Sequence, residues 1–153
     1  MRFALTLITC VAIAGCGASP TAPDTTFRLI AHGGDFGTGA TTRIINDAAT
    51  WTAFIQDAGL RAPSFKPDDP IPAVDFSSET SVALSLGQRP TGGYQIRVDG
   101  VTRDGSTLRV RASELVPCVG PAVITHPLTV IAVPKFNGGV DVSFTRVPCQ
   151  PGP

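Results

Sequence analysis

"YQIRVDGVTRDGSTLRVRASE", Tyr94 to Glu114, decides the fold class of this chain. Two runs of alternating apolar and polar residues flank Asp104-Gly105, a strong hairpin signal. Tyr94, Ile96 and Val98 fall on one face, with Gln95, Arg97 and Asp99 on the other. Leu108, Val110 and Ala112 repeat the pattern against Arg109 and Arg111. Period two with one polar face is the pattern of antiparallel sheet, half on a core and half in water. A turn at Asp104-Gly105 sets Arg103 opposite Ser106 and Val101 opposite Leu108. Continued, that register sets Val98 against Arg111, apolar against polar on a shared face. One additional residue repairs the mismatch, and Gly100 is suited to such a bulge. A three-residue loop would restore the same parity.

Outward from the hairpin the same period recurs. "SVALSL" puts Val82, Leu84 and Leu86 on one face, and "VDVSFTR" does so with Val140, Val142 and Phe144. "LTVIAV", Leu128 to Val133, is evenly apolar and reads as a strand covered on both faces. If strands 94–101, 107–115, 124–133 and 140–147 form a meander, the second and fourth finish at the same end. Cys118 and Cys149 follow those two strands in the rhyming contexts "LVPC" and "RVPC". An even pair outside the cytoplasm reads as a disulfide, with two free thiols as the alternative.

Upstream, "TRIINDAATWTAFIQDAGL" holds one helix, 47–58. Asn46 is placed to cap it, Asp47 suits its positive end, and Gly59 its left-handed stop. Trp51, Phe54, Ile55 and Ala58 form one apolar stripe, so the single tryptophan belongs to a core. Prolines 63, 67, 70 and 72 make the next segment a surface loop. The fold class is therefore α+β: mainly antiparallel sheet, open to a sandwich-like arrangement, with one packed amphipathic helix.

The chain begins "MRFALTLITCVAIAGC". Arg2, a short apolar run and Ile13-Ala14-Gly15-Cys16 resemble the signal peptide and lipobox of bacterial lipoproteins, with Cys16 lipidated as the new N-terminus. The alternative is a plain secretory signal cut elsewhere. Cys10 lies inside the discarded peptide. Residues 16–26, small, polar and proline-punctuated, read as a flexible tether reaching on the order of 20 Å. A single domain over 27–148 and a short tail over 149–153 complete the organisation. Removing residues 1–15 from the 153 leaves 138, enough for one well-cored domain. The mature chain carries 11 basic against 12 acidic residues with no basic tract, which argues against nucleic acid as a partner. The expected location is the bacterial cell envelope, lipid-anchored and facing the periplasm or exterior.

No catalytic constellation is recognisable. His32 and His126 stand in no metal-binding spacing, and no phosphate loop or nucleophile elbow occurs. "PDD" at 67–69 lacks the oxygen spacing of a calcium loop. Arg97, Arg109 and Arg111, with Asp99, Glu114 and Asp141 in reach, read as a solvated, ion-paired face. We therefore expect a non-catalytic binding module with no cofactor and no metal.

One run is more specific. Gly87, Pro90, Thr91, Gly92, Gly93 and Tyr94, followed by the hairpin, a proline-rich break and "PLTVIAVPK", resemble the C-terminal domain of the protease complex subunit PrcB family. The resemblance extends over roughly Thr42 to Val147. It implies a lipoprotein that associates with an extracytoplasmic protease and supports its assembly, without catalysis of its own. The pair Cys118 and Cys149 is not attributable to the family. Pro90 to Tyr94 is also similar to a loop of chagasin-type protease inhibitors, with Gly92 replacing a threonine, which implies direct inhibition as the alternative function. In either case Pro90, Thr91, Gly92, Gly93 and Tyr94 are the candidate partner-binding residues. Pro90 restrains φ, and Gly92 and Gly93 allow positive φ. The same residues would also serve a plain turn, with Tyr94 packed in the core.

Overall fold

The alternating runs do form strands, but they divide between two sheets. The computed structural model describes residues 24–33, 39–63 and 69–149. Within them the order is β1 (Arg28–Gly33), β2 (Thr41–Ile45), α1 (Ala48–Ala58), β3 (Glu79–Ser85), β4 (Gln95–Asp104), β5 (Thr107–Leu115), β6 (Leu128–Pro134) and β7 (Gly139–Val147). The four-stranded sheet has the order β1-β6-β3-β2, and the three-stranded sheet β4-β5-β7. The result is α+β, mainly antiparallel sheet with one short helix, as the periodicity predicts.

The meander does not form. β6 leaves it and pairs antiparallel with β1 and β3, so β5 and β7 become direct neighbours running parallel. The cause lies in β6 itself. Leu128 to Val133 are all buried, and a strand with two apolar faces belongs in a layer covered on both sides. Ile131 and Val133 face the three-stranded sheet with Val82, Leu84, Leu86, Leu108 and Val110. Leu128, Val130 and Ala132 face α1, among Trp51, Phe54 and Ala58. Ile71, Val74 and Phe76, from the proline-rich loop, close that second core. β6 also begins at Leu128 rather than at 124.

The hairpin keeps its predicted faces through a different turn. Asp104 pairs with Thr107 and Val101 with Val110, so the two-residue loop is Gly105-Ser106, with Gly105 at φ 57°. Moving the turn by one residue slides the pairing by two, which returns every side chain to the same face. The bulge falls where expected, between Val98 and Gly100, leaving Asp99 as the additional residue. Arg103, now opposite Leu108, lays its guanidinium 5.1 Å from the centre of the Phe136 ring.

Helix α1 is capped by Asp47, not Asn46. The Asp47 carboxylate accepts from Thr50 N and from Thr50 Oγ1, both at 2.8 Å. Asn46 Oδ1 instead lies 2.7 Å from Thr80 Oγ1, tying the helix start to β3. Gly59 ends the helix at φ 54°.

Candidate functional site

The run Pro90 to Tyr94 belongs to a braced loop at one end of the domain. Beyond Ser85 and Leu128, the last pair of β3 and β6, hydrogen bonding continues between two irregular segments. Leu86 N donates to Pro127 O at 3.1 Å, and Arg89 and Thr125 exchange main-chain bonds of 2.8 and 3.1 Å. Farther out, Gly92 N donates to Pro121 O at 2.9 Å, and Thr125 Oγ1 donates to Thr91 O at 2.9 Å. The loop 86–94 and the arm 116–127 thus form one irregular, two-ply projection.

The glycines answer to this brace in different ways. Gly93 has φ 91°, a conformation that L side chains rarely adopt. Gly92 does not take positive φ, contrary to expectation. It is buried, and a Cβ there would stand 2.7 Å from Pro121 Cγ. Close approach of two chains, not dihedral freedom, is what requires it.

Below the loop, Arg89 Nε donates to Glu114 Oε1 at 2.8 Å, and Arg89 Nη1 donates to Leu86 O at 2.8 Å. Its guanidinium also lies 5.9 Å from the centre of the Tyr94 ring. Glu114 is therefore committed to Arg89 and does not serve the arginine strip, as the sequence reading had it. The strip itself forms as expected from Arg97 with Asp99 at 2.8 Å and Arg109 with Asp141 at 3.9 Å. Asp99 accepts from Ser113 Oγ at 2.5 Å, and this bond, then Arg97, holds its carboxyl below the usual range. Arg109 also meets Asp104 at 3.0 Å.

The arm is pinned at its start. Cys118 and Cys149 are disulfide-bonded, with Cα atoms 4.8 Å apart. Leu115 pairs with Val147 across the parallel strands, and Val116 N donates to Val147 O at 3.1 Å. The two cysteines thus leave one strand end together, for a more direct reason than a meander supplies.

All five candidate residues come together, with Pro90 and Gly93 exposed, Thr91 and Tyr94 half-buried. Sequence reasoning missed the arm. Val119, Val123 and Ile124 are exposed at 91%, 49% and 59%. Their signal was an apolar, proline-broken run with no period, and no Lys, Arg, Asp or Glu lies between Leu115 and Pro134. Phe27 and Leu29, the other exposed large apolar residues among those described, line a groove of about 280 Å³ beside Ile96 and Val98.

Elsewhere the chemistry is sparse. His32 Nδ1 lies 3.3 Å from Thr129 Oγ1, and burial lowers its pKa. Among the described residues, no group of three or more His, Cys, Asp or Glu side chains could hold a metal. No described helix is long and apolar enough to cross a membrane. The signal peptide, Cys16 and most of the tether, together with Pro67-Asp68 and the tail beyond Cys149, lie outside the described residues.

Residues 80–134 match the family model described as PrcB C-terminal. The resemblance therefore holds from β3 through β6. The match takes in the braced loop, the hairpin and the arm, but not α1 or β7. None of the curated proteins and none of the solved structures matches the chain.

Proposed function

We propose that the chain is a non-catalytic, lipid-anchored binding module of the bacterial cell envelope that associates with an extracytoplasmic protease or its assembly. The observation that carries this reading is the PrcB C-terminal match over residues 80–134, whose most specific run is the loop braced outward at Pro90. Cys16, in its lipobox-like context, supports the anchor. A loop held by main-chain bonds, by the positive φ of Gly93 and by the close approach of Gly92 to Pro121 enters a groove without a large ordering cost.

The test compares three proteins in thermal melts and in pull-downs from envelope extract, with captured proteases identified by mass spectrometry. Pro90→Ala with Thr91→Ala alters one exposed and one half-buried side chain and should cost about 1 kcal/mol or less of stability. The same pair should lower protease capture by more than that. Gly93→Val, at φ 91°, should damage the fold itself. A double variant that melts normally and captures the same protease as the wild type overturns the loop's role.

A further inference from the structure

Three of the five exposed large apolar residues among those described sit on one short arm, Val119, Val123 and Ile124. Such a cluster is uncommon on a surface with nothing to bind. The arm is also held: the disulfide fixes Cys118 to the end of β7, and the loop 86–94 pairs along it. Its charge is telling as well. The arm and Pro90 to Tyr94 carry no Lys, Arg, Asp or Glu, and the nearest cation, Arg89, is turned inward onto Glu114. A surface without charge is complementary to an uncharged, apolar one, since a charged partner would lose hydration there without an opposite charge to meet.

The entry of the chain adds a direction. Thr25 N donates to Val101 O at 2.7 Å, and Asp24 pairs antiparallel with Thr102. Asp24 therefore lies toward the hairpin end of β4. The loop and arm lie at the opposite end, next to Gln95. Seven residues of strand separate Thr102 from Gln95, about 23 Å. We infer that the arm, with Val119 and Ile124 outermost, is the face that docks on an uncharged, apolar surface of the partner protease, held at the end of the domain opposite Asp24. This rests on the protease-association reading, and it adds which face meets the partner and in which orientation.

Photo-crosslinking in the native envelope tests it. The full chain carries p-benzoylphenylalanine in place of Val119, Ile124 or, at the opposite end, Ser106, and crosslinked proteins are identified by mass spectrometry. All three positions are exposed, so each protein should melt within a few degrees of the wild type, on the order of surface substitutions. Crosslinks to a protease should form from 119 and 124 with a yield at least about tenfold above that from 106, as for a central contact against a remote one. Protease crosslinks from 106 without those from 119 and 124 overturn the inference and leave the association standing. Crosslinks from the arm to a second copy of this chain alone overturn it too. No protease crosslinked from any position overturns both readings.

Discussion

Removing the cross-link between Cys118 and Cys149 is the most quantitative perturbation the fold allows. The two cysteines are 31 residues apart in sequence. In the chain-entropy description, closing a loop of that length removes about 12 cal/mol/K from the unfolded chain, or about 3.7 kcal/mol at 25 °C. The folded state should lose little besides, because β5 and β7 already bring Leu115 and Val147 together through the parallel ladder. The double change Cys118→Ser with Cys149→Ser avoids leaving a lone thiol. Urea denaturation of the oxidised protein and of the variant should differ by about 3–4 kcal/mol, equivalent to a fall of roughly 10–20 °C in melting temperature for a domain of this size. Hydrogen exchange gives the spatial part of the expectation. Amides of the arm and the loop paired with it, Val123 and Gly92 among them, should lose protection before those of β3 and β6, since the bond fixes the arm's start and not the core. A loss below about 1 kcal/mol would refute the reasoning, because a loop of this length cannot be constrained so cheaply under the entropic account.

Two further outcomes are expected. Gly92→Ala and Gly100→Ala each place a Cβ 2.7 Å from a neighbour, but the neighbours are Pro121 Cγ and Arg111 Nη2 respectively. A proline ring cannot swing aside and a guanidinium can, so thermal melts should show a loss of about 1–3 kcal/mol for Gly92→Ala and within about 0.5 kcal/mol for Gly100→Ala; equal losses would sink the distinction. Acid should also weaken the fold: Glu79 is held below the usual carboxyl range by Arg28, and Asp99 by Ser113 and then Arg97. A depressed folded value means stability present above the unfolded value and lost as pH falls through the folded one, so the urea midpoint should hold from pH 7 to 5 and drop below about pH 4. Glu79→Gln with Asp99→Asn should flatten that drop, and an unchanged acid profile in the double variant would remove these carboxylates from the account.

How much of this was legible follows from which signals are local. The faces of β4 and β5 were readable because parity survives a sliding register, whereas the turn itself, Gly105-Ser106, was off by one. The burial of β6 was readable from an unbroken apolar run, but its partners were not. Nothing within "LTVIAV" says that β1 and β3, more than forty residues upstream, will flank it. β1 and β2 escaped because short strands with mixed polarity, such as Thr41 to Ile45, offer little period to count. The cap moved from Asn46 to Asp47 because Thr80, a residue of the neighbouring sheet, engages Asn46. For β6 and for the cap, a contact distant in sequence decided between local alternatives of similar merit.

The glycine-rich run itself shows where structural demand stops. Gly93 is required by its dihedral, Gly92 by Pro121, Gly120 by its approach to Gly92 O, and Arg89 by Glu114. These residues are what a family pattern would retain even if the loop bound nothing. Pro90, Val119, Val123 and Ile124 are different. They are exposed, and three of them are large apolar side chains that gain nothing from water. No bond, packing contact or backbone conformation described above needs them to be apolar. A fold keeps its demanding residues for its own sake, so a docking function is to be sought among the costly residues the fold does not need. Three of those residues share one uncharged, pinned arm, which is why the arm rather than the glycine run is the sharper place to look for the partner.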